Sequence, residues 1–219
     1  MAIGNGNSAA VECDALKARL KQHWPAAALL TLFALLRWPD LLKLPNFSMA
    51  YALVFCAAAF PRRLPWWLVL GVMVGTDLAL NRFHYRTESL FSDYQAVNYL
   101  AYAGIFLLGR CFDPRAHPGK LIGGGVLGAL IFYLVTNTAA WLQNPEYAKT
   151  LGDWIRALTT GTTGWPETWT FLRNTLLGGG LFTALIASTL QATEAEAPEP
   201  EEAEESAPEG EPAKEEQKA

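Results

Sequence analysis

The sequence predicts an all-α integral membrane protein: a bundle of six transmembrane helices followed by a disordered acidic tail. Two segments, Leu121 to Leu142 and Thr175 to Leu190, contain no charged side chain, and a bilayer core needs roughly 20 apolar residues per helix. A water-soluble domain of this size would need a charged face on most of its helices. The apolar segments stop at residue 190, where a stretch rich in Glu, Ala and Pro begins. A membrane body is therefore followed by a solvated tail.

The acidic tail hides the charge of the body. Residues 192–219 hold 11 Glu, two Lys and four Pro, without an aromatic residue. Of the chain's 17 basic and 21 acidic residues, 15 basic and 10 acidic ones lie in the body, so a net charge of -4 becomes about +5 there. The tail cannot bury enough apolar surface to offset its ordering entropy. Three parts follow: a cytoplasmic N-terminal segment (1–22), the six-helix transmembrane domain (23–191) and the tail (192–219).

Six apolar segments define the predicted helices. The second, third and fourth are short and depend partly on their flanks; Trp66 and Trp67, for example, fit an interfacial aromatic belt at the start of the third. Arg37, Pro39 and Asp40 interrupt the first segment. We therefore expect it to end near Arg37 and to be followed by a surface or re-entrant loop. The segments are 24–42, 47–61, 64–81, 94–111, 120–142 and 169–190.

The fifth connection, residues 143–168, is much longer than the others and carries Trp154 and Trp165. It predicts an interfacial cap with one short helix within 146–158. Long aromatic-rich loops in tight bundles are often functional. An amphipathic helix that only rests on lipid headgroups is an equally open interpretation.

The Lys and Arg residues of the short loops indicate the orientation. With the N-terminus inside, eight basic residues fall on the cytoplasmic side and seven on the outer side. The adjacent Arg62 and Arg63, in a very short loop, favour the same orientation. The polar residues 1–22 do not resemble a secretory signal. The sequence thus predicts a multi-pass protein of the bacterial cytoplasmic membrane, with both termini in the cytoplasm.

Polar residues within the predicted spans gather at the outer ends of the helices. Asp77 and Asn81 lie one helical turn apart on one face. Ionisable side chains at membrane depth are functional candidates, and Asp77 is the only acidic residue clearly inside a span. These residues predict a polar cup that is open to the outside and binds a substrate. The candidate residues are Asn46, Phe47, Asp77, Asn81, Tyr94, Asn98, Thr136, Asn137, Trp141, Arg173 and Asn174.

Two structural interpretations of the same residues stay open. Asn and Thr often form hydrogen bonds between transmembrane helices, and Asp77 has Arg82 and Arg173 as possible partners at the interface. Small residues on the last two segments indicate close helix packing within the bundle. These are Gly124, Gly128, Gly180 and Ala184.

Other classes of function are not indicated. The three His residues lie in flanks or loops, and Asp77 has no second carboxylate at membrane depth for acid–base catalysis. The three Cys share no metal-ligand spacing, and the glycine-rich stretch lacks the Lys-Ser or Lys-Thr of a phosphate loop. We therefore predict no enzyme activity, no metal and no cofactor. Basic residues are spread over loop ends, which gives no nucleic-acid-binding patch.

With these residues in view, the chain resembles a family of uncharacterised bacterial membrane proteins, domain of unknown function 6580, to which a transport role is attributed. The resemblance covers about residues 25 to 190. Pro45-Asn46-Phe47 and Thr136-Asn137 with Trp141 are its most specific elements, together with Gly75-Thr76-Asp77-Leu78. The family is similar in pattern to the S components of energy-coupling-factor transporters. Those six-helix proteins capture a micronutrient from outside and dock on a transmembrane coupling subunit with two ATPases.

The resemblance implies that Asn46, Asp77, Asn137 and Trp141 belong to the cup. The Ala-xxx-Ala docking stripe of S components is absent from the first segment, where Ala26-Ala27-Ala28 is followed by Leu30, Thr31 and Leu32. The expected function is therefore capture of a small molecule for transport, with a possible coupling-subunit partner. The alternative is a membrane scaffold whose acidic tail tethers a cytosolic partner.

Overall fold

The computed structural model describes residues 23–39, 41–89 and 91–195, and within these ranges it is all-helical, with seven helices and no strand. The all-α fold predicted from the sequence is thereby confirmed. The predicted segment 1–22, most of the predicted tail (196–219) and Asp40 lie outside the described residues. The helices are α1 (His23–Leu36), α2 (Ala50–Ala59), α3 (Trp66–Ala79), α4 (Asp93–Gly109), α5 (Pro118–Gln143), α6 (Leu151–Leu158) and α7 (Thr168–Ala195).

Local sequence signals explain several helix boundaries. Ser92 forms a capping box at the start of α4, where its hydroxyl accepts from the Gln95 N–H and the Gln95 side chain accepts from the Ser92 N–H. Pro118 stands in the first turn of α5, where its missing N–H costs nothing. Thr150 caps α6 in the same way as Ser92 caps α4. The short helix predicted within 146–158 is present as α6.

Helix α2 is the centre of the bundle. All ten of its residues are buried, because it packs against α3, α4, α5 and α7. A helix that is enclosed on every side needs no polar face, which explains the uninterrupted apolar sequence of Ala50–Ala59. Helix α6 packs on α5 and α7 and closes one end.

Helices α5 and α7 meet at what we call the glycine seam, formed by Gly125, Ala129, Gly179 and Thr183. A Cβ added to Gly179 would come within 2.5 Å of the Ala129 Cβ and 2.9 Å of the Gly125 carbonyl oxygen. A Cβ on Gly125 would collide with the Thr183 side chain, with only 2.7 Å to its Cβ. Only glycine allows the two backbones to approach this closely.

The small residues predicted at helix contacts lie beside the seam. A Cβ on Gly124 would meet the ring of Phe55 at 2.5 Å, and one on Gly128 would stand 3.1 Å from an α4 side chain. Gly180 has more room, with its nearest neighbour at 3.3 Å, and Ala184 is half-buried. The closest backbone contact thus falls one position from the predicted glycines on each helix.

Hydrogen bonds tie the two ends of the bundle. At one end, Asn174 of α7 donates from Nδ2 to the Pro45 carbonyl, 2.9 Å away, in the α1–α2 connection. At the other end, Gln191 of α7 donates to the carbonyls of Pro114 and Ala116, between α4 and α5. Helix α7 therefore runs from the end where α1 finishes to the end where α4 finishes.

Two of the described helices are long and apolar enough to cross a membrane, Pro118–Gln143 and the Thr168–Thr193 part of α7. The helices His23–Leu36 and Ala50–Ala59 are apolar but shorter. Helix α1 ends at Leu36, directly before Arg37, as the sequence predicts.

Candidate functional site

A cavity of about 560 Å³ lies at the end of the bundle where α1 and α3 finish and α4 begins. We call it the polar cavity. Its walls come from the end of α1, the α1–α2 connection, the last turns of α3 and the first turns of α4, with Tyr51 of α2 and Phe132 of α5 deeper inside. The carbonyl of Asn46, which has a left-handed backbone (φ 60°), accepts a hydrogen bond of 3.0 Å from the Tyr51 hydroxyl. This bond fixes the connection over the cavity.

An ion pair between Arg37 and Asp77 lies in the cavity wall. The Asp77 side chain is 9 % exposed and that of Arg37 21 %. The second carboxylate oxygen of Asp77 accepts from the Tyr99 hydroxyl at 2.7 Å, and the Arg37 guanidinium lies 5.7 Å from the centre of the Phe33 ring. Charge and hydrogen-bonding capacity of the carboxylate are thus satisfied by α1 and α4.

A short polar ladder joins α3 to α4. Asn81 donates from Nδ2 to the side-chain oxygen of Gln95 at 3.0 Å, and one turn further along each helix Tyr99 donates to Asp77. The two pairs advance by four residues in opposite directions, as expected for facing antiparallel helices. One turn deeper, Met73 of α3 lines an apolar groove of about 590 Å³ between the same helices. The polar contacts are confined to the cavity end.

Aromatic rings form the floor and rim of the cavity. At the floor, the rings of Tyr102 and Phe132 stack with 5.2 Å between their centres. At the rim, Trp38, Tyr85 and Tyr94 remain 59 %, 58 % and 54 % exposed. Flat apolar surfaces beside polar groups are typical of small-molecule sites.

One polar atom of the cavity wall has no hydrogen-bond partner among the described residues. The side-chain oxygen Oδ1 of Asn98 is buried and meets no hydrogen-bond donor in the part of the chain that the structure describes. A buried acceptor without a donor costs free energy. This atom is therefore a feature that folding alone does not favour.

The structure brings six of the eleven predicted site residues together around the polar cavity and places the other five elsewhere. The six are Asn46, Phe47, Asp77, Asn81, Tyr94 and Asn98; the five are Thr136, Asn137, Trp141, Arg173 and Asn174.

Two of the five bond within their own helix. The Thr136 hydroxyl donates to the Phe132 carbonyl at 2.9 Å, and Asn137 donates from Nδ2 to the Tyr133 carbonyl at 2.8 Å. Such bonds to the carbonyl four residues earlier are a common way to satisfy polar side chains in apolar helices.

The other three make their contacts outside the cavity. Trp141 donates from Nε1 to the Ala148 carbonyl at 3.0 Å, and Asn174, which is 2 % exposed, anchors the α1–α2 connection. The Arg173 guanidinium lies over the Trp169 ring, 5.7 Å from its centre. All three lie at the same end as the polar cavity without lining it.

The sequence interpretation misses Arg37, Gln95 and Tyr99. The partner of Asp77 is Arg37, not Arg82 or Arg173 as considered from the sequence. Arg82 lies five residues further on, in the π-helical turn Leu80–His84, and does not line the cavity. Alternating helix directions place Arg37 at the same end as Asp77, so the sequence could have named Arg37 as a further partner to consider.

The cap formed by α6 is held on the bundle by partly buried hydrogen bonds. The Tyr133 hydroxyl donates to the Leu158 carbonyl at 2.6 Å, and Trp154 donates from Nε1 to the Thr138 hydroxyl at 3.0 Å. Burial raises the pKa of the Tyr147 hydroxyl, and the Arg156 guanidinium, 5.0 Å from the ring centre, opposes this rise. Among the described residues, no group of three His, Cys, Asp or Glu side chains is placed to hold a metal ion.

Within the described residues, the protein is all-helical. Two of its helices are long and apolar enough to cross a membrane, and a polar cavity lies at one end of its bundle. The chain belongs to the family of unknown function DUF6580, whose model matches residues 18–200. The family predicted from the sequence motifs is thereby confirmed. Comparisons with curated proteins and with solved structures give no match.

Proposed function

We propose that this chain is a multi-pass membrane protein that captures a small molecule in the polar cavity and serves as the substrate-binding subunit of a transport system. The observation that carries the proposal is the cavity itself. Its volume of about 560 Å³ lies in the range of ligand pockets. An ion pair, amide side chains and open aromatic faces line it together.

The depth of the cavity supports this proposal. With ten residues, α2 is about 15 Å long, roughly half of a bilayer core. Non-helical backbone at membrane depth is tolerated where it lines a water-filled cavity. The α1–α2 connection, which continues α2 toward the cavity end, lines the polar cavity through Asn46 and Phe47. A cavity that reaches into the membrane layer accounts for a central helix of half length.

The outer surface of the bundle supports membrane embedding through more than the two long helices. Leu100 and Leu107 of α4 are each 68 % exposed, and Leu177, Leu181 and Leu185 of α7 are 50 %, 59 % and 44 % exposed. Rows of exposed leucine along both α4 and α7 are unfavourable in water and suit lipid chains. We infer from this surface that the remaining helices cross the membrane with α5 and α7.

Transport would need a source of energy outside this chain, since its sequence has no nucleotide-binding motif. A coupling subunit with ATPases, as in energy-coupling-factor transporters, is the partner that the proposal implies. The cavity end would face outward, and the loop with Arg62 and Arg63, at the opposite end, would face the cytoplasm.

A thermal-shift screen of the detergent-purified protein tests the capture function. The library holds nucleobases, nucleosides, free vitamins and amino acids, and it is run on wild type, Asp77→Asn and Asp153→Asn. Asp153 is the matched control because it forms the ion pair of the cap with Arg156, at 3.3 Å. We expect a compound that raises the Tm of wild type and Asp153→Asn but not of Asp77→Asn.

The scaffold is the second candidate, because Asp77 is fully partnered by Arg37 and Tyr99 without a ligand. If the protein is a scaffold, the ion pair serves only to hold α1, α3 and α4 together. Asp77→Asn would then lower the Tm, and no compound in the library would stabilise wild type. That result would reject the capture function.

A further inference from the structure

We propose that the polar cavity takes an uncharged, planar heteroaromatic molecule that donates an N–H or O–H hydrogen bond to Oδ1 of Asn98. This inference rests on the proposed capture function and names the class of its substrate. Three properties of the cavity carry it: its charge balance, its aromatic faces and its unpartnered acceptor.

The charge balance favours a ligand without net charge. Arg37 and Asp77 are the charged members of the described cavity wall, and they neutralise each other. Arg82 and Arg173 do not line the cavity. An anion or a cation would enter a partly buried site without a counter-ion, and such transfer from water is costly. This balance favours neither the cationic nor the anionic ligand that the sequence leaves open.

The aromatic faces favour a flat ligand. Trp38, Tyr85 and Tyr94 line one opening and are more than half exposed. Part of each aromatic surface therefore stays uncovered, although His84 contacts the rings of Trp38 and Tyr85. Stacking on such faces gains free energy from apolar contact and ring geometry together. The stacked rings of Tyr102 and Phe132 provide a second flat surface at the floor.

The unpartnered acceptor indicates a donor on the ligand. The structure holds two buried side-chain oxygens without a partner among the described residues, Oδ1 of Asn98 and Oγ1 of Thr183. Asn98 lines the cavity, whereas Thr183 lies in the glycine seam. Both oxygens are covered in this structure, but the half-buried Asn98 side chain borders open space, so a turn of its amide would bring Oδ1 to a ligand N–H or O–H. Thr183 is enclosed between α5 and α7. Thr183 is therefore an internal control for the role of Asn98.

The charge class is tested with probes that differ mainly in charge. We expect thermal stabilisation by uncharged members of matched sets such as nicotinamide, nicotinate and 1-methylnicotinamide, uracil and orotate, or inosine and inosine monophosphate. Strongest stabilisation by an anionic or cationic member would overturn this inference and leave the capture function standing. Absence of stabilisation across all sets and the wider library would reject both.

The role of Asn98 is tested with Asn98→Leu and Thr183→Val. We expect Asn98→Leu to weaken binding of the best uncharged probe roughly tenfold or more, while the Tm without probe stays equal or rises. N-methylation of the donor on that probe should weaken binding to wild type and make no further difference in Asn98→Leu. Thr183→Val should leave binding unchanged. Unchanged binding in Asn98→Leu, or a loss of Tm without a loss of affinity, would show that Asn98 is structural.

Discussion

In the glycine seam, backbone atoms of α5 and α7 approach each other closely, whereas at the polar cavity α3 is joined to α4 through hydrogen bonds between side chains. Gly179 has no room for a methyl group, while about 560 Å³ stays open beside Asp77. Each region also buries one oxygen that has no partner among the described residues. In the seam the Thr183 oxygen is enclosed between two helices, and at the cavity the Asn98 side chain borders the space that a ligand would fill.

The difference indicates a division of work within one bundle. Helices α2, α5 and α7 form a closely packed frame, in which any added volume is expected to destabilise the fold. The ends of α1, α3 and α4 form a polar region in which substitutions are expected to change binding as well as stability. Mutations in the two regions should therefore have different signatures.

The largest effect is expected in the glycine seam. Gly125→Ala should destabilise the protein by about 3 kcal/mol, because its methyl group collides with Thr183 and overpacking of a rigid core has no outlet. Gly123→Ala is the control, since a Cβ there meets nothing within 4 Å. Denaturant titration in detergent should separate the two variants. Equal stabilities would contradict the close contact of α5 with α7.

The second effect concerns the ion pair. Asp77→Ala should cost about 2–3 kcal/mol, since it leaves the Arg37 guanidinium without its counter-ion and Arg37 keeps part of its side chain in water. The double variant Arg37→Met/Asp77→Leu should recover most of this loss, because no unpaired charge remains. A double variant that is less stable than Asp77→Ala would show that the pair itself stabilises the bundle.

A smaller effect is expected from Asn174. Asn174→Ala should lower stability by about 1–2 kcal/mol, because the fold loses the hydrogen bond that the buried Asn174 side chain donates to the Pro45 carbonyl. The same variant should leave probe affinity unchanged, or nearly so, since Asn174 does not line the cavity. A large loss of affinity with little loss of stability would return Asn174 to the binding site.

The smallest effect has the opposite sign. Thr183→Val removes a buried hydroxyl that has no partner among the described residues, and it should leave stability unchanged or raise it by up to about 1 kcal/mol. Thermal unfolding beside wild type measures this. A clear decrease would mean that the hydroxyl has a partner, such as a bound water.

Much of the fold was predictable from the sequence, because the length of an apolar segment and the residues that interrupt it indicate where a helix begins and ends. Arg37 ends α1 as expected, and the cap helix α6 falls within its predicted range. The π-helical turn at the end of α3 (Leu80–His84) has no such signal. Such turns are rare and often lie at functional sites, and apolar patterning does not encode them.

The site was predictable only in part. The alternating direction of successive helices predicts at which end of the bundle a residue lies, but not which face of its helix the residue occupies. Thr136 and Asn137 lie at the expected end, but their side chains bond to their own helix. Gln95 and Tyr99 were missed, although they follow the predicted Tyr94 and Asn98 by one position each. The way in which α3 and α4 face each other decides which of these neighbouring α4 residues meets Asp77.

The most direct test of the account is cysteine labelling across the membrane in intact bacterial cells. Tyr94→Cys places a thiol at the cavity rim, the native Cys111 is exposed just beyond the other end of α4, and Cys56 is buried. With Cys13→Ser as background, a membrane-impermeant maleimide should label position 94 in intact cells and Cys111 only after permeabilisation. The best uncharged probe should slow labelling at position 94 alone. Labelling of Cys111 but not of position 94 in intact cells would reverse the orientation. Equal labelling of both positions in intact cells, or recovery of the labelled protein outside the membrane fraction of broken cells, would contradict the membrane-embedded cavity.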